Sequence, residues 1–289
     1  MESVTLISIN YNSTNKLYKL LKSVQKYIYP IIKEIIIIDN NSTDIKDLII
    51  SNKLKTKTTC LINKKNIGFS KAVNIGLKAS KSKYVLLVNP DTCFFDNSII
   101  NAINILNNNP KIGVVGGKIY GLDKKIHFSA TNKPSFLTAI FEFTVLKKIF
   151  SNNIFSKNFW IESHNEITKP IKVHSVCGAF MLIRKDINKI FFDTNYFLYL
   201  EDLDFGSIVE KNGYETYFDP CSQIIHIGGY SSHNKYGIIH KYWYTSRDYY
   251  FRKHFKGILG QILKCIFIIE TKLLIIFKIG DLHNTINEK

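Results

Sequence analysis

Two unbroken apolar runs in this chain end on a carboxylate: EIIIID at residues 34–39 and YVLLVNPD at residues 84–91. Four consecutive isoleucines leave no polar face. The first run therefore reads as a strand covered on both sides, as in a parallel sheet lying under helices. Tyr84–Val88 reads the same way. Helical spacings separate such runs: Leu17, Leu20, Leu21 and Val24; then Phe69, Ala72, Val73, Gly76 and Leu77; then Ile99 to Leu106. With strands at Val4–Ile9, Thr58–Ile62 and Ile112–Ile119, residues 1–120 alternate strand and helix. That order predicts an α/β fold with a mostly parallel central sheet, right-handed crossovers and flanking helices. Ser42 and Thr43 are placed to cap a short helix reaching about Ile50.

The order weakens over residues 121–170, which are aromatic, polar and only weakly periodic; one helix is expected near Phe136–Phe150. It returns with a strand at Val176–Ile183, a helix at Glu201–Lys211 closed by Gly213, a strand at Tyr214–Phe218 and another extended piece at Ser222–His226. From Tyr236 the chain reads as helical to about Lys278. No linker interrupts it before residue 235. One domain is expected over 1–235, in two halves (1–120 and 121–235), followed by a helical segment over 236–289.

A ligand on such a sheet binds at the carboxyl ends of the strands. Three polar clusters fall there: SINYN, DNNSTD and NPDT. Each alone is ordinary turn chemistry, since Asn, Asp, Pro and Thr favour turns. The topology gathers all three on one rim. Downstream, FLYLEDLDF sets Glu201, Asp202 and Asp204 in the first turn of a helix. A helix N-terminus favours acids, but three so close repel, and a cation or a raised pKa would relieve them. His226 ends an apolar stretch and precedes Gly228 and Gly229, which permit close backbone approach to a bound group.

Lys and Arg total 39 against 23 acids, a formal charge of +16. That surplus suits a nucleic acid, a phosphorylated substrate or an anionic membrane; solvated lysine in a chain rich in Lys, Ile and Asn explains it equally well. The five cysteines are scattered, odd in number and without a CxxC pair. This argues against a disulfide framework or zinc knuckle and fits a reducing compartment. MESVTLISINYN lacks the basic start of a signal peptide, and no run of roughly 18 apolar residues predicts a membrane span.

Taken in order, ISINYN, IIIIDNNSTD, NKKNIGFSKAVNIGL, YVLLVNPDT, VCGAFMLIRKD, FFDTNYFLYLEDLDF and IIHIGGYS resemble the family 2 glycosyltransferases of GT-A fold, most of all their rhamnosyltransferase-like branch. The likeness covers about residues 3 to 255. It implies that 1–120 is a nucleotide-binding half and 121–235 an acceptor and catalytic half. It implies a nucleotide-diphosphate sugar donor, with dTDP-rhamnose favoured and UDP sugars open, and Mg or Mn as divalent cation. Asp91 matches the metal-binding acid, with His226 as a second metal-side ligand. Asn89 stands where many members carry the first Asp of a DXD motif, a departure that leaves one carboxylate fewer. Asp39 matches the acceptor of the base N–H, which suits the N3–H of uracil or thymine. Tyr11 flanks the base, while Asn66, Gly68 and Asn74 line the nucleotide sugar. Asp202 matches the catalytic base of an inverting displacement, with Glu201 positioning the acceptor or tuning Asp202.

The tail YWYTSRDYYFRKHFKGILGQILKCIFIIETKLLIIFK mixes aromatics and bases before an apolar helix broken by Lys264, Glu270 and Lys272. It either lies in an anionic membrane interface or packs on protein. The former suits a glycan acceptor carried on a lipid diphosphate, and a cytoplasmic enzyme peripheral to the membrane face. Other readings fare worse. A dinucleotide oxidoreductase needs a glycine-rich first turn, which SINYNSTN lacks. No nucleic-acid module is present and the bases are dispersed, so no nucleic acid is expected. A sugar-nucleotide-binding protein without turnover stays open, as does the oligomeric state.

Overall fold

The computed structural model describes residues 3–161, 166–185, 190–227 and 236–276. Gly228, Gly229 and the expected helix end near Lys278 lie outside these. Among the described residues the strands are β1 Val4–Asn10, β2 Ile32–Asp39, β3 Thr58–Ile62, β4 Tyr84–Val88, β5 Thr92–Cys93, β6 Ile112–Tyr120, β7 Ile126–His127, β8 Ala130–Thr131, β9 Ile171–Val173, β10 Ser175–Val176, β11 Phe180–Arg184 and β12 Glu215–His226. The α-helices described are α1 Thr14–Ser23, α2 Asn52–Lys55, α3 Phe69–Ala79, α4 Ile99–Asn108, α5 Phe136–Phe141, α6 Leu146–Ile149, α7 Ile154–Phe159, α8 Glu201–Lys211, α9 Tyr236–His254 and α10 Gly257–Ile276.

The main sheet runs β3-β2-β1-β4-β11-β6-β12-β5. β1 pairs parallel with both β2 and β4, β2 with β3, and β6 with β12. The long strands thus follow the expected parallel order, with one antiparallel member, β11, inserted between β4 and β6. The four isoleucines show why both faces must be apolar. Ile35 and Ile37 enter one core with Leu17, Leu20 and Leu86, while Ile36 and Ile38 enter the opposite one with Ala72, Val73 and Leu87. Each strand residue feeds one of two layers in turn, by the two-residue period of the strand.

Several local expectations need correction. The helix from Ser42 to Ile50 is only a turn at Ile45–Asp47. The residues expected to start it are engaged elsewhere: the Ser42 hydroxyl receives Asn10 Nδ2 at 3.0 Å, and Asp44 accepts the Thr14 N–H at 3.0 Å, capping α1 instead. The strand over Val176–Ile183 is broken at Cys177–Ala179, between β10 and β11. The pieces Tyr214–Phe218 and Ser222–His226 form one strand, β12, whose register shifts between Asp219 and Gln223 around Pro220. There the Asp219 carboxylate accepts from the Ser222 hydroxyl at 2.6 Å. The helix near Phe136–Phe150 is two short ones, α5 and α6, followed by a third, α7, with Ser135 and Asn153 capping α5 and α7. The C-terminal helix is two, separated at Phe255–Lys256 ahead of Gly257, whose φ is +64°.

A third core joins these regions. Ala139, Phe143 and Phe159 pack with Tyr196, Leu203, Tyr250, Phe251, Leu263 and Phe267. The alternative in which the tail packs on protein is met by one face of α10. Leu263, Phe267, Glu270 and Leu274 turn inward, whereas Ile258, Ile262, Ile269, Leu273 and Ile276 are exposed. Among the described residues no helix is long and apolar enough to cross a membrane.

Candidate active site

The register of the parallel strands decides which polar side chains meet. Asn10 lies opposite Asp39 at the carboxyl ends of β1 and β2. Asn10 Nδ2 donates to Asp39 Oδ1 at 2.8 Å, and the Ser42 N–H donates to Asp39 Oδ2 at 2.8 Å. The carboxylate is fully buried, and each oxygen keeps a lone pair beyond these bonds. Tyr11, the next residue of the chain, is exposed at the rim.

The second cluster is made by the short strand β5. Asp91 immediately precedes it, and β5 pairs antiparallel with the end of β12, setting Thr92 opposite His226. The Ile227 N–H closes the turn onto the Asp91 carbonyl at 2.9 Å. The pairing brings His226 Nε2 to 3.1 Å from Asp91 Oδ1, and Lys16 Nζ from α1 lies 3.9 Å from Asp91 Oδ2. Burial alone would raise the Asp91 pKa; the His226 bond and charge, with Lys16, outweigh it and hold the carboxyl below its ordinary value. Asn89 is partly exposed, and its carbonyl accepts from the Thr92 hydroxyl at 2.7 Å.

Among the described residues no group of three His, Cys, Asp or Glu is gathered for a metal. Asp91 and His226 converge as one oxygen and one nitrogen donor on an anionic rim. A hard divalent cation accepts so small a protein set, because it keeps several waters and takes substrate phosphate oxygens. The residues fit Mg or Mn held jointly with a diphosphate.

Asp202 is positioned by backbone strain. Tyr199 and Leu200, neither of them glycine, have φ of 73° and 61°. Residues other than Gly, Asn and Asp seldom take this left-handed form, and two in succession mark a turn that its surroundings enforce. The turn opens α8, so Glu201 and Asp202 lie at the positive end of the helix dipole. Asp202 Oδ1 accepts the Leu203 N–H at 2.8 Å, and the Gly178 backbone also favours its ionised form. Burial pushes Glu201 up to about 8, with the Asp202 charge adding to it, and burial raises Asp202 as well. Glu201 Oε2 is buried with no hydrogen-bond partner among the described residues. The two acids titrate as a pair raised by their shared burial.

Asp204 has a different task. Its oxygens meet Lys253 Nζ at 2.8 Å and His254 Nε2 at 2.6 Å, with the Tyr196 hydroxyl at 3.2 Å. The cation that relieves the crowded acids is a lysine at the end of α9. The same helix face holds the strained turn: the Ser246 hydroxyl bonds the Leu198 carbonyl at 2.7 Å, and Tyr242 stacks on Phe197 at 4.2 Å. The Phe197 carbonyl reaches Gly68, where φ is +84° and an added Cβ would stand 2.7 Å from that oxygen. Asn66 Oδ1 accepts the Gly68 N–H at 3.0 Å, and Asn74 spends both ends of its amide on the Phe192 backbone, at 2.8 and 2.9 Å. These three residues join the first half of the chain to the loop before Asp202.

Lys16, Gly178, Lys253 and His254 were not singled out by the sequence reading. No spacing signals them: Lys253 and Asp204 are 49 positions apart. Burial pushes the Cys177 thiol up to about 12, and the charges of Asp202, Glu201 and Asp91 act in the same direction.

The chain is similar to several glycosyltransferases. An N-acetylglucosaminyl-diphospho-decaprenol L-rhamnosyltransferase of Mycobacterium tuberculosis is 25% identical over 180 residues, 58% of this chain and 58% of that protein. A UDP-Glc:alpha-D-GlcNAc-diphosphoundecaprenol beta-1,3-glucosyltransferase of Escherichia coli is 31% identical over 107 residues, 37% of this chain and 42% of that one. The chain thus spans little more than half of the mycobacterial relative. Among solved structures, a Pyrobaculum calidifontis mannosyltransferase in complex with GDP-Man and Mn2+ superposes with a TM-score of 0.58 at 14% identity, covering 94% of this chain and 74% of that one. This is a likeness of fold. The family model described as "Glycosyl transferase family 2" matches residues 5–191, well over half of the sequence, and the chain belongs to that family.

Proposed function

We propose that this protein is an inverting, metal-dependent glycosyltransferase. It moves a sugar, with dTDP-rhamnose as the favoured donor, onto a glycan acceptor carried on a lipid diphosphate. The observation that carries the reading is the Asp202 carboxylate. It accepts the Leu203 N–H at 2.8 Å at the head of a helix opened by a strained turn, and it lines a large cavity together with Cys177.

In this reading Asp39 accepts the base N–H, with Tyr11 flanking the ring. Asp91 and His226 would hold a divalent cation, which when bound would supply positive charge beside the departing diphosphate. Asn89 faces the same diphosphate in place of a carboxylate, and Lys16 adds positive charge beside it. Asp202 takes the proton of the acceptor hydroxyl as that oxygen attacks the anomeric carbon, and the nucleoside diphosphate leaves from the opposite face. A base raised by burial acts close to its working pH, which favours proton transfer. The relatives named for diphospho-lipid acceptors support the acceptor class. The exposed apolar stripe of α10 and the basic surplus support work at the cytoplasmic face of an anionic membrane.

Donor hydrolysis tests the reading, with dTDP-rhamnose and common UDP sugars and with Mg or Mn. Wild type should release nucleoside diphosphate only with the metal, and Asp91→Ala should abolish this. Asp202→Ala should still bind nucleotide, while transfer falls by about a thousandfold, the scale of a lost general base. If no sugar nucleotide is hydrolysed and none raises the melting temperature, the reading fails. If nucleotide binds but no donor or acceptor is turned over, the protein is a sugar-nucleotide-binding protein.

A further inference from the structure

A cavity of about 1050 Å³ opens beside Asp202. That is the upper end of pockets that bury a drug-sized ligand. Its floor is made by Val176, Cys177, Leu200 and Leu203, with the Asp202 carboxyl among them. From there it runs between the short helices α5–α7 and the inner side of α10. The wall is largely aromatic and aliphatic, and its acids Glu142 and Glu270 are paired with bases, although Glu142 Oε2 has no hydrogen-bond partner among the described residues. Glu142 accepts the Trp160 indole N–H at 2.8 Å and pairs with Lys147. Glu270 pairs with the buried Arg247 and accepts the Val145 N–H at 2.6 Å.

The mouth is the unusual part. Ile149, Ile269 and Leu273 line the cavity and are also 68%, 57% and 48% exposed. An apolar rim open to water marks a surface that meets something apolar. Leu273 and Ile269 belong to the same stripe of α10 as Ile262 and Ile276, so rim and stripe are continuous. Lys147 and Lys148 stand exposed beside the rim.

A sugar alone does not account for a space whose lining is mostly aromatic and aliphatic and whose rim is apolar. An apolar chain does. Resting on the reading above that the acceptor is carried on a lipid diphosphate, we propose that this cavity is the chain subsite of the acceptor: it takes the first apolar segment of the lipid, entering past Ile269 and Leu273, and so directs the attached glycan at Asp202. Chain and glycan then share one continuous site, and the lipid is recognised by burial of hydrocarbon rather than by its headgroup alone.

The chain's two tryptophans, Trp160 and Trp243, both line the cavity, so intrinsic emission reports its filling. The full chain would be titrated with geranylgeranyl diphosphate, with inorganic diphosphate and with phosphatidylcholine vesicles. A saturable emission change with geranylgeranyl diphosphate only is expected, at least tenfold weaker in Leu273→Glu at the rim and in Leu146→Phe within the wall. Circular dichroism would confirm that both variants fold. No change on titration, an equal change in wild type and both variants, or the same change from inorganic diphosphate or bare vesicles overturns the proposal. Donor hydrolysis by wild type separates the two readings. Turnover without chain binding removes this subsite and keeps the enzyme, and chain binding without turnover does the reverse.

Discussion

Glu201 and Asp202 share a burial that neither would bear alone as an ion. Glu201 stands at about 8 against an ordinary 4.5. An acid raised in the folded state favours folding in its protonated form. That stabilisation is whole below pH 4.5 and is lost as pH rises through about 8. Glu201→Gln cannot ionise, so it should melt above wild type near pH 9, with the gap closing towards pH 4.5; differential scanning calorimetry across that range checks the sign. The acids were legible in FLYLEDLDF as a crowded first turn of a helix. The separate engagement of Asp204 was not, because its partner Lys253 lies 49 positions away. Gly68 was singled out within NKKNIGF; its approach to the Phe197 carbonyl was not legible. Gly68→Ala should cost about 1–3 kcal/mol of stability, since the positive φ and the close carbonyl both oppose a methyl group. Urea denaturation would measure it.

Among the elements, the strands with unbroken apolar runs were read within a residue or two, because burial on both faces is written directly into them. Strand direction is not. β11 has the same apolar character as its neighbours and runs against them, a property fixed by the connection through residues 121–175 rather than by its own residues. The helices α5 to α7 escaped for the opposite reason: each is too short for a helical period to stand out from aromatic background. The contact between α8 and α9 is the one on which the site leans. Removing one partner of a buried ionic network leaves the others uncompensated, so Asp204→Ala should lose about 3–5 kcal/mol in chemical denaturation. Lys253→Met should lose less, because His254 still meets Asp204. If α9 were merely apposed to the domain, neither change would exceed a surface substitution.

For the whole molecule, the sequence offered a domain over 1–235 followed by a helical segment. The third core draws on both: Ala139, Phe143 and Leu203 from one, and Tyr250, Phe251, Leu263 and Phe267 from the other. A chain ended at residue 235 would expose that core and strip Asp204 of its lysine and histidine. It should show no cooperative thermal transition, whereas two independent units would leave the melting of residues 1–235 almost unchanged.

The tie between Asp204 and the end of α9 also bears on biosynthesis. The β1–β4 layer and its helices can form early, as N-terminal regions do while synthesis continues. The helix bearing Asp202 and Asp204 gains Lys253 and His254 only after α9 has been made. A nascent polypeptide can therefore hold a finished β1–β4 layer while Asp204, two residues from Asp202, still lacks its partners.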